Sequence, residues 1–152
     1  MNPPPSLRIV TREPSTEGPG AGRRVVLVHG SMDRASSFGR LTSKLPDFSV
    51  VSYDRRGYAG SSALGPPAAF DDQVADLLSV LDGSPAVVFG HSFGGTVVLA
   101  AAEAQPSLVA AALVWEPPQP WLEWWPRSSP SLDLDNVAPE DQAEWFMRHV
   151  VG

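Results

Sequence analysis

Apolar and polar positions along the chain alternate between two signatures. Short, continuous apolar runs occupy Val25-Val26-Leu27-Val28, Ser49-Val50-Val51-Ser52-Tyr53, Ala86-Val87-Val88-Phe89 and Val109-Ala110-Ala111-Ala112-Leu113-Val114-Trp115. Each is of strand length and rich in β-branched or small apolar residues, which predicts strands buried in a sheet. Leu7-Arg8-Ile9-Val10-Thr11-Arg12 alternates instead, and predicts a strand near an edge.

Helical spacing appears between these runs. Phe70, Val74, Leu77, Leu78 and Leu81 fall on one helical face, with Asp71 and Asp72 in the first turn and Gly83 at the end. Ala- and Leu-rich sequence from Gly94 to Glu103 predicts another helix, Ser36 to Leu45 a shorter one stopped by Pro46, and Glu140 to Val151 a last one. Strands alternating with helices predict an α/β fold: three layers, doubly wound, with a mostly parallel sheet covered on both faces. No internal repeat is present.

Composition changes at Glu116. Pro117-Pro118-Gln119-Pro120-Trp121-Leu122-Glu123-Trp124-Trp125-Pro126 opens a Pro- and Trp-rich segment. The expected division is a core portion over residues 1–116 and the beginning of a helical lid over 117–152. The 152 residues suffice for a domain with a real core. Without cysteine there is no disulfide framework or thiolate nucleophile. A net charge of −6 argues against nucleic acid or an anionic membrane as partner. No apolar run approaches membrane-spanning length, and Met1-Asn2-Pro3-Pro4-Pro5 lacks the layout of a signal peptide, so a cytoplasmic location is expected. His29, His91 and His149 are too scattered to predict a metal site, and no cofactor is implied.

The candidate chemistry lies at the junction of the Ala86–Phe89 strand and the helix after it. Gly90-His91-Ser92-Phe93-Gly94 has the spacing of a nucleophile elbow, in which a serine sits on a sharp strand-to-helix turn. Small residues are needed two positions either side of the serine for the chain to pass, and Gly90 and Gly94 meet that need. The Phe93 N–H, at the start of the helix, is one expected oxyanion donor.

Taken in order, Val25-Val26-Leu27-Val28-His29-Gly30, Tyr53-Asp54-Arg55-Arg56-Gly57 and Gly90-His91-Ser92-Phe93-Gly94-Gly95 resemble the α/β-hydrolase superfamily from Leu7 to about Pro118. Ala59 replaces a glycine common in the second motif. The resemblance implies Ser92 as nucleophile, the Ser31 N–H as second oxyanion donor and a small-molecule acyl substrate. It also implies a triad in the order serine, acid, histidine, in a domain of roughly 250 residues. The strands that carry the acid and the histidine are absent, so a C-terminally incomplete chain with an open strand edge and poor activity is expected. Glu116, directly after the last strand, is the alternative acid. Two other readings stand beside the serine esterase: carbon–carbon hydrolysis or cofactor-free peroxidase chemistry at the same serine, and a non-catalytic truncated remnant. Epoxide- and haloalkane-cleaving relatives carry aspartate at the elbow, which sets them apart.

Overall fold

A computed structural model describes residues 5–119 together with Leu122, Glu123, Asp141, Glu144 and Arg148. The chain divides into two compact units, residues 1–118 and 119–152. In the first, five strands form one sheet: β1 (Ile9–Arg12), β2 (Arg24–Val28), β3 (Ser49–Tyr53), β4 (Ala86–His91) and β5 (Val109–Trp115). Their order is β1-β3-β2-β4-β5, with β1 antiparallel to β3 and every other pair parallel. The helices are α1 (Gly39–Thr42), α2 (Phe70–Leu81) and α3 (Phe93–Ala104).

Period-two alternation along the inner strands sorts their side chains onto two faces. Val26, Val28, Val51, Tyr53, Ala86 and Val88 pack with Leu77, Val80 and Leu81 of α2 and with Val97, Val98 and Ala101 of α3. Val25, Leu27 and Val50 face the other way, where Phe38 is the buried partner, with Leu45, Phe48, Val87 and Phe89 partly buried around it. The chain thus leaves β2 towards β3 across one face and returns from β3 to β4 across the other, as right-handed crossovers in opposite directions require.

Polar side chains secure the connections. Arg24 donates to the Val80 and Leu81 carbonyls at 2.7 and 2.8 Å, capping the C-terminal end of α2 with positive charge. At the other end Asp72 accepts the Ala68 and Ala69 N–H groups at 2.8 and 3.2 Å. Arg56 grips Asp76 of α2 through two bonds of 2.7 and 2.6 Å, a forked contact that ties the end of β3 to the helix.

Three local expectations change. Ser36–Leu45 is not one helix but a 3-10 turn, Ala35–Phe38, followed by the single turn α1, consistent with two serines and Gly39 weakening helix propensity. A second 3-10 turn, Ala59–Leu64, follows β3 where the sequence carries no helical pattern. The sheet is also not covered on both faces throughout. β5 lies at the end of the strand order and is exposed from Ala110 onward, with Leu113 52% and Trp115 61% exposed, because no described element packs beyond it. Among the described residues no helix is long and apolar enough to cross a membrane.

In the second unit the expected 140–151 helix is described at only three positions. Asp141 and Glu144 are helical, and Arg148 pairs with Glu144 one turn away at 2.5 Å. Trp121, Trp124, Trp125 and His149 lie outside the described residues.

Candidate active site

Crossovers on opposite faces pull the connections after β2 and β4 apart, which makes the C-terminal ends of these neighbouring strands a topological switch point. Such switch points are where open α/β sheets bind ligands. Gly30 and Ser31 follow β2, and Ser92 follows β4, so the topology brings both sequence-predicted oxyanion segments to this one place. Their closeness is direct: a methyl group on Gly30 would lie 3.1 Å from Ser92 Cβ and 3.2 Å from the His91 carbonyl oxygen.

Ser92 has φ 51° and ψ −128°, a conformation that residues with a Cβ rarely adopt. It is the residue before α3, yet its side chain makes no capping bond to the helix. Its N–H donates to the Trp115 carbonyl at 2.8 Å and its carbonyl accepts from Gly95 N–H at 2.7 Å. Backbone bonds thus pin the turn on both sides. The neighbouring glycines are there for lack of room. A methyl on Gly90 would meet the Gly94 carbonyl oxygen at 2.5 Å, and one on Gly94 would meet the His29 carbonyl oxygen at 2.5 Å.

Strain is concentrated at this end of the sheet. Met32 follows β2 with φ 54°, Ser92 follows β4 with φ 51°, and Glu116 follows β5 with φ 51°. Glu116 is exposed, Ser31 and Phe93 are half-buried after β2 and β4, and Met32 stands exposed next to Ser31. Thr96 Oγ1 donates to the Pro118 carbonyl at 2.8 Å, which holds the segment after β5 against α3.

At the same end of the sheet lies a buried polar network. His29 and Arg55 are fully buried. The Arg55 backbone N–H donates to His29 Nε2 at 2.9 Å, so Nε2 is the accepting nitrogen and Nδ1 carries the proton, donating to the Gly30 carbonyl at 2.8 Å. The Arg55 guanidinium donates to the same carbonyl at 2.9 Å and to Gln73 Oε1 at 3.2 Å. Its charge lies 4.8 Å from the Tyr58 ring centre and 5.0 Å from that of Phe93. With both ring nitrogens engaged, His29 is not available as a base to Ser92. Only the run Tyr53-Asp54-Arg55-Arg56-Gly57 hinted at this network; Gln73 is itself buried, on the apolar stripe of α2 between Phe70 and Leu77, where a polar side chain is the one signal the spacing offers.

Burial lowers the His29 pKa below its ordinary 6.5, the nearby Arg55 charge adding to the effect and the Gly30 bond opposing it. The unfolded chain therefore binds a proton that the fold refuses. The His29 contribution to stability should be level above pH 6.5 and fall as pH drops through that value, by up to about 1.4 kcal/mol per unit until the folded pKa is reached. Urea titrations at stepped pH check this, and His29→Gln should flatten the slope between pH 7.5 and 5.5. An unchanged slope in the variant assigns the acid sensitivity to other groups.

A doubly wound sheet with a strained serine between β4 and α3, facing the loop after β2, defines the class as an α/β domain with an elbow serine at the switch point. Residues 25–152 match the alpha/beta hydrolase family, and the chain belongs to it. Lipase LipV of Mycobacterium tuberculosis is 36% identical over 103 residues, covering 66% of this chain and 39% of that lipase. An α/β hydrolase structure from Sphaerobacter thermophilus superposes with a TM-score of 0.68 at 30% identity, over 94% of this chain and 56% of the other. Epoxide hydrolase A from Mycobacterium thermoresistibile gives 0.57 at 33% identity, over 71% and 34%. The chain thus spans about two fifths of the length of the lipase and covers only part of the fold.

Proposed function

We propose that the chain carries the nucleophile half of a serine hydrolase that acts on a small ester or related acyl compound. The observation that carries this reading is Ser92 held at φ 51° and ψ −128° beside Gly30 at the switch point. Strain of this kind has no use to the fold, and it suits a hydroxyl offered to a substrate. Serine rather than aspartate at this position favours acyl transfer over epoxide opening, and the lipase relative lends the ester class.

The Ser92 oxygen bonds to the substrate carbonyl carbon, and the negative charge that develops on the carbonyl oxygen is met by the Phe93 and Ser31 N–H groups. Collapse breaks the bond to the alkoxy group, which leaves with the proton from serine. Water then cleaves the acyl-enzyme to the acid and restores the hydroxyl. The base and its acid are proposed to belong to the rest of the fold, Glu116 being the alternative acid within this chain. Lid residues 117–152, a cytoplasmic setting and a small-molecule partner belong to the same proposal. Without a base the chain alone should turn over slowly.

A fluorophosphonate probe at high concentration and long exposure tests the reading, because oxyanion donors alone leave such a serine residual reactivity when its base is missing. Labelling of the wild-type chain that vanishes in Ser92→Ala is the expected result. A folded wild type that labels no faster than Ser92→Ala rejects the nucleophile and leaves a non-catalytic module.

A further inference from the structure

Gly30 places one carbonyl oxygen against two donors: His29 Nδ1–H at 2.8 Å and the Arg55 guanidinium at 2.9 Å. One donor is enough to satisfy a buried carbonyl, so the second is not explained by satisfaction alone. Burying a guanidinium is also expensive, and among the described residues no carboxylate forms an ion pair with Arg55. Its Nε has no hydrogen-bond partner either. An apolar side chain of similar volume would serve the core at less cost, which makes the guanidinium hard to account for by stability.

Peptide planarity links this carbonyl to the candidate site. The Gly30 C=O and the Ser31 N–H belong to one trans unit and point in opposite directions, so whatever fixes the carbonyl also fixes the N–H. With the carbonyl turned down into the Arg55–His29 network, the Ser31 N–H is turned away from it. A cationic donor on the carbonyl also polarises the peptide and strengthens its N–H as a donor. The same guanidinium stands 5.0 Å from the ring centre of Phe93, the residue whose N–H is the other proposed donor.

We propose that Arg55 is a positioning residue for acyl transfer, which locks and polarises the Gly30–Ser31 peptide so that the Ser31 N–H is preset as an oxyanion donor. Arg55 touches no substrate; it acts through Gly30 and, by its packing on Phe93, ties together the two halves of the hole. The inference rests on the acyl-transfer reading of Ser92. Gln73 holds the far end of the guanidinium and serves the same alignment.

Two readouts test it on the full chain. The first is the kinetics of fluorophosphonate labelling, separated into the maximal inactivation rate and the probe's apparent affinity. Losing one oxyanion donor outright costs about 100- to 1000-fold, so releasing its alignment in Arg55→Met should slow the maximal rate about 10- to 100-fold with affinity unchanged. Arg55→Lys, which keeps charge but not the fork, should recover part of the rate. An equal maximal rate in wild type and folded Arg55→Met overturns the inference. The second is the amide resonance of Ser31, which needs no labelling. Its 15N shift should move upfield in Arg55→Met as the carbonyl of its own peptide loses a cationic donor, while amides of the α2–α3 core stay in place. If wild type does not label, the Ser92 reading fails and the catalytic half of this one falls with it, while the resonance still decides whether Arg55 polarises the Gly30–Ser31 peptide; an unmoved Ser31 signal overturns the inference whatever the labelling. Should both variants fail to fold, Arg55 belongs to the core alone and the inference falls.

Discussion

Replacing Gly94 by alanine is expected to cost about 3 kcal/mol or more, a drop of 10 °C or greater in melting temperature for a unit of this size. The added methyl would press on the backbone carbonyl oxygens of Val28 and His29, both too close for any real Cβ. Neither can yield cheaply, since β2 is held between β3 and β4 and His29 is locked to Arg55. Helix α3 would instead have to rise off the sheet, opening space over Val97, Val98 and Ala101, which are fully buried. Gly39→Ala is the matched control. Its φ of −54° is ordinary helix and nothing lies within 4 Å of the added methyl, so it should gain about 0.4–1 kcal/mol. Thermal melts of the two variants check both signs. A Gly94→Ala protein that melts within about 3 °C of wild type would show that α3 has room to absorb a methyl group against β2.

How much of the fold is legible in the sequence follows from how local each signal is. Continuous apolar runs located β2 to β5 almost to the residue, because burial within a sheet leaves no room for polar side chains there. The elbow was equally legible, since two glycines and a serine at fixed spacing are a local steric demand. Topology is only partly local: alternation implies crossovers, but the reversal between β2 and β4 emerges from the strand order. Least legible was the His29–Arg55–Gln73 network. Its members are 18 to 26 positions apart in pairs, and an arginine and a glutamine normally face solvent. Only three-dimensional packing shows that Arg55 is enclosed. The exposed positions of β5 have the opposite origin, since a strand composed for burial is covered only in part among the described residues: Val109 is buried, while Leu113 and Trp115 are exposed.

Ser92→Gly is expected to separate the proposed function from stability in a single substitution. A serine at φ 51° and ψ −128° stores about 1–3 kcal/mol, whereas glycine adopts these angles freely. Against this, glycine loses about 0.5–1 kcal/mol more backbone entropy on folding. Loss of the hydroxyl adds little, because the Ser92 side chain makes no capping bond to α3. Relief should therefore win, leaving the variant about 1 kcal/mol more stable while fluorophosphonate labelling disappears. Ser92→Ala isolates the cause: it also loses the hydroxyl but keeps a Cβ, so it should lose labelling without the gain. Denaturant midpoints for wild type and both variants, read beside their labelling, decide the matter. A Ser92→Gly protein no more stable than Ser92→Ala would mean that the turn at residue 92 is relaxed, and that the sheet end holds no strain set aside for a substrate.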